Sequence, residues 1–131
     1  MRKSEINNWK LILISCSIIV LIIMGVRNCF GLFLEPIASF NNSGTEPFSI
    51  GMSIQALAWG ISAFLLGMVI DKFGPQKALA FGIVCYALGV YLLSNPSSNF
   101  IIYNFGLITG IGLGAGGMST IVAIIGKTAP P

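Results

Sequence analysis

The chain has 131 residues, of which 55% are apolar and 8% charged, with a mean hydropathy of +0.89. That leaves too little polar surface to cover a water-soluble domain, so the composition points to lipid as the solvent. The net charge of +3 comes without any soluble segment that interleaves basic and aromatic residues, which argues against a nucleic-acid partner.

Four stretches are apolar and nearly free of charge: 11–34, interrupted by Arg27, then 48–70, 78–93 and 100–126. A bilayer core takes roughly 20 helical residues at about 1.5 Å each, and three of the four stretches exceed that. The third is short and is expected to borrow Lys77 and Ser94 at its ends. None alternates apolar and polar residues as a membrane barrel strand does, and helices satisfy their own backbone in lipid. The predicted fold class is an all-α integral membrane protein with four transmembrane helices and the bilayer as its first partner.

Arg2 and Lys3 ahead of the first run resemble a signal peptide, but the run is too long and no small-x-small cleavage site follows. Leu13-Ile14-Ser15-Cys16 has too few apolar residues before it for a lipoprotein box, so the first span is expected to be retained. Between spans one and two, Pro36, Asn41-Asn42-Ser43-Gly44 and Pro47 form a cluster of turn residues expected to break helices on both sides. Asn41-Asn42-Ser43 also fits a glycosylation acceptor, but so short a pattern recurs by chance and this one sits close to the membrane, so a plain turn is the reading preferred. Gly74-Pro75 marks the second connection and Asn95-Pro96-Ser97-Ser98-Asn99 the third.

Basic residues settle the expected orientation. Arg2, Lys3 and Lys10 precede span one, Lys72 and Lys77 lie between spans two and three, and Lys127 follows span four. The loops 38–46 and 95–99 carry no Lys or Arg, so both termini are predicted on the cytoplasmic side.

The stretch Gly67-Met68-Val69-Ile70-Asp71-Lys72-Phe73-Gly74-Pro75-Gln76-Lys77 resembles the G-x-x-x-D-[RK]-x-G-x-[RK]-[RK] signature of the major facilitator superfamily, in the loop where that family carries it. The resemblance implies a conformational latch formed by Gly67, Asp71, Lys72, Gly74 and Lys77, with Gln76 departing from the usual basic residue. The alternative is that these charges solvate a loop and anchor topology. Residues 30–37, Phe48-Ser49-Ile50 and 55–60 look like the first two helices of bacterial facilitators near the monocarboxylate and oxalate/formate branch. Such proteins have about twelve spans in two six-helix halves. The chain is therefore expected to be part of an N-terminal half, with the remaining helices as missing partners and a bacterial inner membrane as its location.

Arg27 is the one charge inside a span, where a charge at the helix centre costs roughly 2.5–3.5 kcal/mol. A guanidinium matches two carboxylate oxygens, which makes Arg27 a candidate contact for a monocarboxylate or dicarboxylate, with Asn28, Gln55 and Trp59 adding donors and an aromatic wall. Equally, it can snorkel to the interface or pair with Glu35.

In span four, Gly112-Leu113-Gly114-Ala115-Gly116-Gly117 formally fits a dinucleotide fingerprint, but no strand precedes it and no acid follows. Gly106, Gly110 and Gly114, and the pair Gly112 and Gly116, read as close helix packing. Ala56, Gly60, Ala63 and Gly67 make a similar stripe on span two, a face that packs on the opposite half of a complete facilitator. Aligned on Gly110, Gly106 stands where the family often has an arginine implicated in proton coupling, which puts such coupling in doubt.

There is no His, and the acids Glu5, Glu35, Glu46 and Asp71 form no plausible pair with a nucleophile. Cys16, Cys29 and Cys85 lie within spans without metal-ligand spacing. No enzyme activity, cofactor or metal is expected. The reading is the N-terminal portion of a secondary transporter, inactive alone. The alternative is a stand-alone four-span protein acting as an oligomeric exporter or as an interaction or structural partner, weakened by the lack of an acid in span one.

Overall fold

The structure, a computed structural model, describes residues 3–42 and 44–128. Arg2, Ser43 and Pro130-Pro131 lie outside the described residues. Among the described residues, every regular element is helical: α1 (Lys3–Cys29), a 3₁₀ turn (Phe30–Phe33), α2 (Leu34–Asn41), α3 (Glu46–Phe73), α4 (Pro75–Leu93), α5 (Asn99–Gly116) and α6 (Met118–Thr128). They give four helical stretches long and apolar enough to cross a membrane: Trp9–Phe40, Glu46–Phe73, Pro75–Leu93 and Asn99–Lys127.

The first stretch runs past Leu34, and Pro36 does not end it, contrary to the sequence expectation. The 3₁₀ turn interrupts the α-helical ladder just before α2, so Pro36 falls in a first turn whose amides have no partner to lose. The chain reverses instead at Asn42 (φ 51°) and Gly44 (φ 70°), and Pro47 opens α3. The third stretch begins a turn earlier than expected, because Pro75 starts α4 directly after Gly74. The fourth is not one helix. At Gly117 the backbone is extended (φ −77°, ψ −170°), and a Cβ there would strike the Leu113 carbonyl oxygen. The Thr120 hydroxyl donates to the Ala115 carbonyl at 2.6 Å, supplying a partner at the break.

α5 is the centre of the packing: 65% of the apolar 18-residue core of the fourth stretch is buried, against 11% of that of the first. Its glycines face two ways. Gly106, Gly110 and Gly114 abut Gly51, Gln55 with Ala58, and Ser62 of α3, while Gly112 and Gly116 meet Tyr86 and Gly82 of α4. A methyl added at Gly110 would sit 2.6 Å from the Gln55 carbonyl oxygen and 2.7 Å from Ala58 Cβ, so the backbones meet with no room for a side chain. In lipid, where apolar surface is no worse solvated than in protein, such close contact is what holds helices together.

One polar bridge crosses the same seam: Gln55 Nε2 donates to Thr109 Oγ1 at 2.9 Å, and both residues are buried. At one end of the bundle, Phe105 meets Phe30 edge-on at 5.1 Å and stacks on Phe48 at 6.3 Å. Tyr86 donates its hydroxyl to the Ile23 carbonyl at 3.3 Å, tying α4 to α1. At the other end Cys16 packs with Ile121 and Ile124.

Gly60 takes no part in this packing. Nothing lies within 4 Å of a Cβ built there, and the face of α3 that is used carries Gly51, Gln55, Ala58 and Ser62. Gly60 stands two positions beyond Ala58, about 200° around the helix, so the stripe through Ala56 and Gly60 points away from α5. Gly67 likewise has open space beside it.

Gly110→Ala is expected to destabilise the purified chain by about 1–3 kcal/mol, whereas Gly60→Ala leaves stability unchanged or raises it by up to about 1 kcal/mol, as read by unfolding in detergent. Thr109→Val strands the whole Gln55 amide and is expected to cost about 1–3 kcal/mol. Gln55→Leu, which removes the amide altogether, should cost less in the same measurement.

Candidate functional site

Arg27 stands in the last turn of α1, immediately before the 3₁₀ turn. Its guanidinium carbon lies 5.0 Å from the centroid of the Trp59 ring, a cation–π contact between α1 and α3. The residue is half-buried, and its Nε–H is fully buried without a hydrogen-bond acceptor. Among the described residues no acid pairs with it; Glu35 is exposed on α2, beyond the 3₁₀ turn. Two of the four residues singled out around an anion are thus in contact. Asn28, one position further and about 100° around the helix, is exposed and does not join them.

Gln55 lies one turn before Trp59 on α3 and is 1% exposed. The orientation of its amide follows from Thr109, whose hydroxyl donates to the Phe105 carbonyl at 2.6 Å and so must accept from Gln55 Nε2. Gln55 Oε1 is left buried with no donor. A further turn along, Ser62 is placed to donate to the carbonyls of Trp59 (3.2 Å) and Gly110 (3.3 Å). The Trp59 indole also reaches the break in the fourth stretch, its Nε1 lying 3.7 Å from where a Gly117 Cβ would stand. Arg27, Trp59 and Gly117 are therefore contiguous, and Gln55 extends the polar seam inward to Thr109.

Thr109, Ser62 and Gly117 were not singled out from the sequence. A partial signal existed: Gln55 and Ser62 are seven apart with Ala58 between them, a helical face of small and polar residues. Nothing local distinguishes Gly117 from its neighbouring glycines, because the break depends on the Leu113 carbonyl.

At the far end of α3, Gly74 adopts φ 89° and ψ 150°, a conformation that favours glycine, and its N–H donates to the Ile70 carbonyl at 2.9 Å. It ends α3 and caps α4 in one residue. Asp71, Lys72 and Lys77 are exposed around this turn, and among the described residues no ion pair joins them. Lys72 Nζ lies 5.7 Å from the Phe73 ring centroid. Among the described residues no three His, Cys, Asp or Glu side chains converge in a way that could hold a metal.

The family model of the Major Facilitator Superfamily matches residues 16–131. The chain is 29% identical over 113 residues to YcxA of Bacillus subtilis (strain 168), described as an uncharacterized MFS-type transporter; the match covers 86% of this chain and 28% of that one. The chain thus spans less than a third of the length of that relative. No solved structure matches. With a family match over most of its length and four helical stretches able to cross a membrane, the chain belongs to the Major Facilitator Superfamily of membrane transporters.

Proposed function

We propose that this chain forms one wall of the translocation pathway of a secondary transporter for a small organic anion, and that Arg27 recognises its carboxylate. The observation that carries this reading is the guanidinium laid against Trp59 with its Nε–H buried and unpaired. The indole face orients the cation but accepts none of its hydrogen bonds in the guanidinium plane, so the donors stay available to an anion. A carboxylate supplies two oxygens in the matching geometry, and low local dielectric strengthens the contact. Trp59 serves as the aromatic wall. Gln55, closed off between α3 and α5, supports the site from behind, and Asn28 has no part in it.

The rest of the pathway comes from helices outside this chain, in keeping with its span of 28% of a relative. The stripe of Ala56, Gly60, Ala63 and Gly67, exposed at Ala56 and Gly60 and half-buried at Ala63 and Gly67, is the face that meets them. By itself the chain transports nothing, and its reaction class is solute movement without bond making, not catalysis. Both termini lie in the cytoplasm of a bacterial cell, with the protein in the inner membrane, a reading whose orientation is supported by the excess of lysine at one end. On that side Asp71, Lys72 and Lys77 flank the rigid Gly74 turn and act as the latch of the resting conformation, with Asp71 held for a cation on a missing helix.

In the intact transporter in proteoliposomes, Arg27→Ala is expected to weaken the apparent affinity for lactate, pyruvate, oxalate or formate by about tenfold or more, with membrane insertion unchanged. Uptake at the wild-type KM would overturn the assignment. Asp71→Asn is expected to lower the maximal rate several-fold with KM unchanged, since it alters the latch and not the contact with the anion. The purified 131-residue chain should show no uptake above empty vesicles.

A further inference from the structure

The charged side chains divide between the two ends of the bundle. The cluster of Cys16, Ile121 and Ile124, with Ile12 and Leu79 against it, brings the first half of α1, the start of α4 and the end of α6 to one end. Lys10, Lys77 and Lys127 therefore share that end, and Lys72 joins them through the Gly74 turn. Asp71 is the one acid there among the described side chains, while Glu35 and Glu46 stand at the opposite end.

Within the basic end there is a cleft of about 220 Å³ between the first turn of α4 and the last turn of α6. Lys77 and Lys127 approach it from two helices far apart in sequence, Gln76 and Gly74 add polar groups, and Phe73 and Ile124 supply apolar surface. No acid lines it. Two lysines lining one cleft give it a positive potential, which favours an anion there. The first turn of α4 has no capping side chain, which adds unpaired amides at the same place, but it is the lysine pair that makes the cleft a site.

We propose that this cleft binds a phosphate group, and that its occupant is the headgroup of an anionic phospholipid. The cleft lies at the end of membrane-crossing helices, where headgroup phosphates are at high local concentration, and its apolar surface suits the glycerol and first methylenes of a lipid. Lysines that serve topology alone need no cleft between them. The site is separate from Arg27 and does not depend on the substrate proposed above.

The test compares the purified chain and its variants in mixed phosphatidylcholine and phosphatidylglycerol vesicles, with retained lipid counted by native mass spectrometry after extraction. Preferential retention of phosphatidylglycerol is expected. Lys77→Gln or Lys127→Gln should each weaken it about fivefold, and the double variant about thirtyfold. Lys10→Gln, at the same end but outside the cleft, should leave it unchanged. All three lysines are exposed, so the variants are expected to fold. Equal losses in Lys10→Gln and Lys77→Gln would overturn the site in favour of a diffuse surface effect. Displacement of the lipid by inorganic phosphate at comparable concentration would overturn the lipid as its occupant, and retention that ignores headgroup charge would overturn both.

Discussion

The fit of α5 between α3 and α4 is the constraint on which the rest of the structure depends. Gly106, Gly110 and Gly114 allow one backbone approach and Gly112 and Gly116 the other, so a single helix serves two neighbours. Close contact is the available adhesive in a lipid environment, and it tolerates no added methyl. Everything else is placed relative to this trio. Phe105 reaches the aromatic cluster from α5, Thr109 holds Gln55, and α1 is attached through Phe30, Tyr86 and Cys16 at the periphery.

The polar groups of the interior follow from that geometry. Thr109 and Ser62 return their hydroxyl hydrogen bonds to helix carbonyls, so each is satisfied without water. Gln55 and Arg27 are different: each retains a buried polar atom without a partner. In a membrane interior such groups are costly, and they lie on the side where Trp59 links α1 to α3. Thr109 and Ser62 are thus satisfied within the fold, whereas the Gln55 amide and the Arg27 guanidinium are not.

Two interruptions of the helical ladder lie beside this region. The 3₁₀ turn at Phe30–Phe33 follows Arg27 by three residues, and the break at Gly117 faces the Trp59 indole. Each has a local cause: an α2 first turn that accommodates Pro36, and a Leu113 carbonyl that occupies the space of a Cβ.

Composition and periodicity by themselves determined that the chain is helical and membrane-borne, because a charge content of 8% and four long apolar runs admit little else. The glycine spacing in span four was legible as packing, since four-residue recurrence places glycines on one face whatever the neighbour. The turn at Gly74 was legible because a left-handed conformation at a helix junction demands that residue. Tertiary structure decided the rest. That Gly60 faces outward while Ala58 faces α5 is a matter of which side of α3 meets a partner, and periodicity marks both sides alike. That Pro36 sits inside a helix and that Gly117 breaks one follow from the course of the neighbouring backbone, whereas that Arg27 meets Trp59 and not Glu35, and that Thr109 fixes the Gln55 amide, depend on groups distant in sequence. Local sequence carries the propensity of each residue, but not the identity of the group that will stand opposite it.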